Sequence, residues 1–266
     1  MGGKPTFFLT GGTFTPEKIA GALADAGLGK LGFVVGERLS YPDEKITVTT
    51  AGEAAGMTFA PLSVVLTDPL ETSGERAGGL PDDMFIRGDV PMTKRDVRAA
   101  VLSRLAVKED DVLWDIGAGT GSCSVEMALA APRGAVYAVE CVEEACELIR
   151  KNRTSFKVWN LSLVQAKAPD GLEELPAPDA VFIGGTRGQL DGILDAATSK
   201  NPMVRIVITA IALESLQKAQ EALTARGYDL DITQIQVSRA KKAGSLHLMM
   251  AENPIYLIEA QHRCEE

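Results

Sequence analysis

Three glycines at alternate positions, Gly117, Gly119 and Gly121, follow an apolar run and an acid in the stretch VLWDIGAGTG (112–121). The run has strand character. The Ala-, Met- and Glu-rich segment after it (122–131) suits a helix. Strand, tight turn and helix start together make a nucleotide-cofactor site. Glycine lets a ligand approach the backbone, and the helix start presents free N–H groups. Asp115, Gly117, Ala118, Gly119, Thr120 and Gly121 are the candidate cofactor residues. Two chemistries compete for this loop. A dinucleotide site wants G-x-G-x-x-G, with its pyrophosphate on the helix N-terminus; here the spacing is G-x-G-x-G and Ser122 stands at the third dinucleotide position. A carboxylate at Asp115 would repel a pyrophosphate but suits the cationic amino group of a methionine-type ligand. A purely structural turn is the bland alternative.

The elements downstream must position partners for that loop. The segment AVYAVE (135–140) reads as a buried strand ending in an acid, Glu140, 19 residues beyond Gly121. In nucleotide-binding α/β folds an acid at this place takes the ribose hydroxyls, and one carboxylate can accept both. An amphipathic helix is predicted over 143–156 and a third strand over 161–166, followed by Lys167 and Ala168, whose backbone can reach a base. The fourth strand, DAVFIGG (179–185), ends in Gly184 and Gly185, again inviting close approach. Helix 189–199, strand 204–209 and periodic helix 212–226 follow. Two long strand candidates, 228–238 and 246–258, read as a hairpin at a sheet edge, linked by the basic segment 239–244. Five βα repeats and a terminal hairpin make a seven-stranded α/β sheet, with ligands at the carboxyl ends of its strands.

At 266 residues the chain has room for one large or two small domains. Hydrophobic content of 45% and charged content of 24% are ordinary for a globular protein with a core. No transmembrane-length apolar run or signal peptide stands in the sequence. Cys123, Cys141, Cys146 and Cys264 form no CxxC pair, and His247 and His262 are the only histidines. The expectation is reduced thiols in the cytoplasm and no metal. A net charge of −9 argues against nonspecific nucleic-acid binding. Basic residues are nevertheless placed locally. Lys94, Arg95 and Arg98 cluster at the start of a helix predicted from about 95 to 105, with Thr93 as its N-cap. Cations are unfavourable at a helix N-terminus, so they suit an anionic ligand or a solvated face.

The first 70 residues alternate strand (6–10), helix (16–26, capped by Thr15), strand (31–36) and strand (62–67). That is an α/β fragment of three strands, small to be stable alone. Residues 68–86 (DPLETSGERAGGLPDDMFI) are rich in Pro, Gly and acids and read as a linker. The second domain is expected to begin near Arg87.

The stretch 112–121 resembles motif I of the Rossmann-like (class I) S-adenosylmethionine methyltransferases. Over 87–260 the chain resembles the CbiT-type precorrin methyltransferases, through GDVPMTK (88–94), WDIGAGTGSCSVE (114–126), DAVFIGG (179–185) and ENPIYLIE (252–259). Residues 1–70 resemble the C-terminal half of a tetrapyrrole methylase domain of the C5-methylating (CbiE) type, through FFLTGGTFTPEKIAGAL (7–23), GERLSYPDEKIT (36–47) and FAPLSVVLT (59–67). The glycine-rich loops of that domain's N-terminal half are missing, so the chain reads as a truncated form or natural remnant whose first part has no activity of its own. The two halves stand in the order of the precorrin-6Y C5,15-methyltransferases.

The resemblance implies methylation at C15 of a precorrin with decarboxylation of the C12 acetate side chain, in cobalamin biosynthesis, with S-adenosylmethionine as cofactor. It also implies a cytoplasmic homotetramer. Matched to the family pattern, Thr93, residues 117–121, Glu140 and Ala168 contact the cofactor. Where many methyltransferases have an acid at the third strand end, this chain has Lys167. The expected substrate is a polycarboxylate, for which Arg87, Lys94, Arg95, Arg187 and Arg239 would supply local positive charge. A noncatalytic tetrapyrrole-binding module would share the pocket, and a nicotinamide-dependent oxidoreductase would share the first half of the fold.

Overall fold

The computed structural model describes residues 4–75 and 77–262; Cys264 lies outside them. The chain divides into two compact units, 1–74 and 75–266.

The first unit contains β1 (Thr6–Leu9), α1 (Pro16–Leu23), β2 (Gly32–Glu37), β3 (Lys45–Thr50), α2 (Ala51–Ala54) and β4 (Ser63–Thr67). Its sheet has four strands, not the expected three, in the antiparallel order β1-β4-β2-β3. The extra strand, β3, alternates Ile46 and Val48 with threonines; a short strand of this kind gains its pairing from its neighbour β2. Thr15 is the N-cap of α1 and Pro16 its first residue, as expected, but the helix stops at Leu23. A wider turn over Ala24–Leu28 follows, with Gly27 at φ +80°. A Thr50–Glu53 capping box starts α2. Phe33, Val35 and Val65 on one sheet face pack against Ile19, Ala20, Ala51 and Ala54 of the helices.

The second unit carries α3 (Arg95–Leu105), β5 (Val112–Ile116), α4 (Ser122–Ala130), β6 (Ala135–Glu140), α5 (Glu143–Ser155), β7 (Leu161–Gln165), β8 (Ala180–Ile183), α6 (Leu190–Lys200), β9 (Arg205–Ala210), α7 (Leu213–Ala225) and the strands β10 (Asp229–Ile235), β11 (Ser238–Ala243), β12 (Leu246–Ala251) and β13 (Ile255–Gln261). Seven strands form a mostly parallel sheet in the order β10-β13-β9-β8-β5-β6-β7, with β13 antiparallel to both neighbours. This is the Rossmann-like methyltransferase architecture. Its central strands, such as β8 (AVFI), are apolar and buried because helices cover both faces, whereas the edge strand β10 (DLDITQI) is polar and partly exposed. Leu113, Val136 and Phe182 pack with Val101, Leu105, Met127 and Ile149 on one side. Trp114, Ile116, Val181 and Ile206 pack with Ile193, Leu194 and Leu223 on the other.

Two expectations are corrected here. Residues 75–86 are not a linker: they belong to the second unit, and Leu80 and Phe85 are buried in its core. Their Pro, Gly and acid content reflects a strap held by side chains rather than by regular backbone pairing. The terminal hairpin is also more divided than expected. β10 and β13 pair inside the main sheet, while the predicted basic tip is itself a strand, β11, paired with β12 in a separate ribbon. Every residue of that ribbon is exposed.

Candidate functional site

Strand order reverses beside β5, with β6 and β7 to one side and β8 and β9 to the other. Loops leaving the carboxyl ends of β5, β6 and β8 must part at that point, which opens a crevice. A cleft of about 450 Å³ lies there. Thr93, Gly117, Ala118, Gly119, Glu140, Lys167, Ala168, Gly184 and Arg187 all line it, from five separate stretches of sequence.

The glycine loop leaves β5 as the sequence suggests. The N–H groups of Gly117 and Ala118 both donate to Val139 O, at 3.0 and 3.2 Å, so the loop is stitched across the end of β6. Gly117 and Gly119 have φ of +71° and +56°. A Cβ on Gly117 would sit 2.7 Å from Gly185 O, and one on Gly119 2.8 Å from Pro91 O. Both positions therefore demand glycine on two counts, conformation and space. The residues at the helix start differ. Gly121 is the N-cap of α4, Thr120 is buried, and neither lines the cleft.

Glu140 is 8% exposed at the cleft wall. Its Oε1 accepts from the N–H groups of Cys141 (2.8 Å) and Val142 (2.9 Å), and its Oε2 accepts from Gly119 N–H (3.0 Å). A carboxylate offers about four acceptor directions. Three are taken by the backbone, which fixes the group in place and leaves room for one further donor rather than the two expected.

Asp115 is not where its sequence neighbours suggest. Alternation along β5 puts it on the same face as Leu113, beneath α4. It is fully buried and absent from the cleft wall. Ser124 Oγ donates to its Oδ2, and among the described residues Oδ1 has no partner. Burial pushes its carboxyl up to about 7; the Ser124 hydrogen bond opposes this and the nearby Glu140 charge adds to it.

A strap, residues 78–94, forms the outer wall, with Asp89, Val90, Pro91 and Thr93 facing the cleft. Sequence reading missed what holds it. Glu126, fully buried on α4, accepts from the N–H groups of Gly78 (2.8 Å), Gly79 (2.7 Å) and Leu80 (2.9 Å). Its Oε1 also takes Arg98 Nε at 2.5 Å. Arg98 is fully buried too, and its Nη1 donates to Thr93 O (2.7 Å) and Asp82 Oδ1 (3.2 Å). The reading of Arg98 as one of a cluster of cations for an anionic ligand is thereby corrected. Asn152 of α5 completes the network. Its Oδ1 accepts from Ile86 N–H (2.8 Å), and its Nδ2 donates to Ile86 O (3.0 Å) and Thr120 O (2.9 Å). A sequence signal existed. Ala145, Leu148, Ile149 and Asn152 share the buried stripe of α5, and Asn152 is its polar member. Likewise Glu126 sits in a helix buried from Ser122 through Ala128.

Of the basic residues expected around the substrate, the structure brings one, Arg187, to the cleft, with a left-handed φ of +47°. Arg87 is exposed and not part of the wall. Lys94, rather than Thr93, is the N-cap of α3, and the Arg95 N–H is bound by Asp82 Oδ1 at 2.9 Å. Arg239 is engaged by Asp96 and, at 2.9 Å, by Glu252. These four stand outside the wall: Arg87 is exposed on the strap, Lys94 and Arg95 start α3, and Arg239 on the ribbon is held by acids. Lys167 joins Arg187, so the wall has two cations, with Asp89, Glu140 and Glu144 as its acids.

The model of the precorrin methyltransferase domain family matches residues 83–262. The chain belongs to the precorrin methyltransferase domain family. Within that family it is 44% identical over 185 residues to a probable cobalt-precorrin-6B C(15)-methyltransferase (decarboxylating) of Pyrobaculum calidifontis, spanning 68% of this chain and 95% of that one. It is 36% identical over 199 residues to the precorrin-6Y C(5,15)-methyltransferase (decarboxylating) of a Sinorhizobium species, spanning 73% of this chain and 48% of the relative. A crystal structure of precorrin-6y C5,15-methyltransferase from Geobacter metallireducens superposes with a TM-score of 0.67 and 37% identity, over 71% of this chain and 100% of the other. The precorrin methyltransferase match begins at 83, so the first unit lies outside it. Among the described residues no helix is long and apolar enough to cross a membrane.

Proposed function

We propose that the second unit transfers a methyl group from S-adenosylmethionine to C15 of a precorrin and supports decarboxylation of the C12 acetate side chain, in cobalamin biosynthesis. The observation that carries this is the convergence of Gly117, Gly119 and Glu140 on one cleft at the strand-order reversal. The residues fit the cofactor. Glycines keep side chains out of a cradle next to the backbone, Glu140 holds an acceptor direction toward a ribose hydroxyl, and about 450 Å³ suits a ligand of nucleoside size. When bound, the cofactor supplies an electrophilic methyl on a sulfonium. The chain's part is to orient: Glu140 and the glycine loop would hold the cofactor, and the strap would screen its reactive end from water. Lys167 and Arg187 meet the substrate's carboxylates. The macrocycle itself takes up the electrons released on decarboxylation, so the protein needs no nucleophile of its own.

The first unit is part of this proposal as the C-terminal half of a C5-methylase-type domain. Assembly as a cytoplasmic homo-oligomer, a tetramer by resemblance, is a further part.

Calorimetric titration with S-adenosylhomocysteine and, separately, NADH tests the cofactor. Saturable binding of the first alone, one per chain and lost in Glu140→Ala, is the expected outcome. Binding of NADH alone sinks it. With precorrin substrate and S-adenosylmethionine, the product mass is expected to gain one methyl and lose one carbon dioxide; an unchanged mass leaves a tetrapyrrole-binding module instead.

A further inference from the structure

The cleft has two walls that share no backbone pairing, the glycine loop and the strap, and one side chain bridges them from behind. Asn152 is fully buried on α5 and lies outside the cleft wall. One carboxamide closes a two-bond ring with the peptide groups of Ile86, through Oδ1 to the N–H and Nδ2 to the C=O, and gives its second N–H to Thr120 O in the glycine loop. Both amide donors are spent, one on each wall. The orientation admits no reversal, because a flipped amide would set its NH₂ against Ile86 N–H and its oxygen against two carbonyls. The same helix reaches the strap a second time, where Glu144 Oε1 accepts from Asp89 N–H at 3.3 Å. On the cleft side the walls come so close that Gly119 has no room for a Cβ beneath Pro91 O.

We infer that Asn152 is a positioning residue that sets the separation of the strap from the glycine loop, and through it the affinity for the cofactor. The inference rests on the cofactor reading above. Glu144 lines the cleft and holds the strap at Asp89, whereas Asn152 lies outside the wall and holds both the strap and the glycine loop. The strap is anchored at Gly78, Gly79 and Leu80 by Glu126, at Ile86 by Asn152, at Asp89 by Glu144, and at Thr93 by Arg98. Without Asn152, the cleft-facing stretch keeps its anchors at Asp89 and Thr93 but loses the anchor that also binds the glycine loop.

The experiment compares wild type, Asn152→Asp and Leu223→Ala by calorimetric titration with S-adenosylhomocysteine, at a temperature where all three are folded by circular dichroism. Leu223 is fully buried on the opposite face of the sheet and serves as a stability-matched control. Aspartate keeps the shape but loses both donors and faces two carbonyls. Asn152→Asp is expected to weaken binding by about 10-fold or more, and to speed proteolytic cleavage within 75–94, while Leu223→Ala binds within about twofold of wild type. Wild-type affinity in Asn152→Asp, or equal weakening in Leu223→Ala, overturns the inference. Should Asn152→Asp not fold, hydrogen exchange on the wild type decides. S-adenosylhomocysteine is expected to slow exchange at Ile86 N–H; an unchanged rate overturns the role. Failure of the wild type to bind S-adenosylhomocysteine at all sinks the cofactor reading instead. Unchanged proteolysis of the strap in the variant then sinks the Asn152 bridge independently.

Discussion

The two larger sheets of this chain are built from similar short strands, yet one has a cleft at its edge and the other has an open face. In the second unit β5 to β9 run parallel, so their carboxyl ends arrive together and their loops converge. In the first unit every pairing among the described residues is antiparallel, and strands adjacent in the sheet end on opposite edges. No single edge collects the loops. Coverage differs too. Helices bury both faces of the parallel sheet, whereas Phe7, Leu66, Val34 and Val48 stand in register across the uncovered face of the antiparallel one. Of these Phe7, Leu66 and Val48 are exposed, as are Leu9 and Ile46 beside them. Strand direction, more than strand composition, decides where a site can form.

The sharpest way to break this comparison is to attack what each unit buries. Arg98→Ala leaves Glu126 charged and uncompensated beneath the strap and should cost about 3–5 kcal/mol in denaturant unfolding of the second unit. Phe33→Ala, in the smaller core, should cost about 3–5 kcal/mol in the first unit. A loss under about 1 kcal/mol for either would mean that its contacts do not hold the unit together.

Asp115 sharpens the contrast through pH. Its folded-state carboxyl is raised from the ordinary aspartate value to about 7. The folded state therefore binds more protons than the unfolded state between about pH 4 and 7, and stability falls as pH rises through that window. The slope is on the order of 1.4 kcal/mol per pH unit, so the whole loss is about 4 kcal/mol. Urea unfolding of wild type and Asp115→Asn at stepped pH should show this fall in the first and not in the second. Parallel curves would mean that Asp115 stays ionised in its buried place.

Gly119→Ala tests the cleft itself. The new methyl meets Pro91 O in a left-handed backbone, so the strap must shift. S-adenosylhomocysteine affinity should drop by about 100-fold, the loss of one or two good hydrogen-bonded contacts. Unchanged affinity would show that the strap does not bound the ligand. The smallest effect is expected on the open face. Val48→Lys, at a position 76% exposed, should change the stability of the first unit by less than about 0.5 kcal/mol. A larger loss would reveal that this face is covered in solution.

Much of the site could be read in the chain because its signals are local. The glycine loop is a contiguous strand, turn and helix start, and each part restricts residue type by backbone geometry alone. Glu140 and Gly184 follow from the rule that ligands lie at strand ends, Ala168 was implied by the family resemblance, and all three line the cleft. Asp115 was misread because alternation along a five-residue strand sends its side chain under α4, a matter of packing rather than spacing. The basic residues were misread for a related reason. Charge along a sequence does not say whether a carboxylate waits nearby, and Arg98 met Glu126 and Asp82 while Arg239 met Asp96 and Glu252.

The sequence by itself determined the βα succession from β5 to α7, the loop that must be glycine, and the acid at the end of β6, because these depend on residues close in the chain. Tertiary structure alone decided that residues 75–86 belong to the second unit, that Glu126, Arg98 and Asn152 are its polar anchors, and that the basic segment 239–244 is a ribbon strand and no part of the cleft wall. The polar anchors depend on groups 28 to 66 positions apart, as in the pairs Arg98–Glu126 and Ile86–Asn152. A buried polar group must find its partner wherever the fold brings one, and no pattern along the chain records where that is.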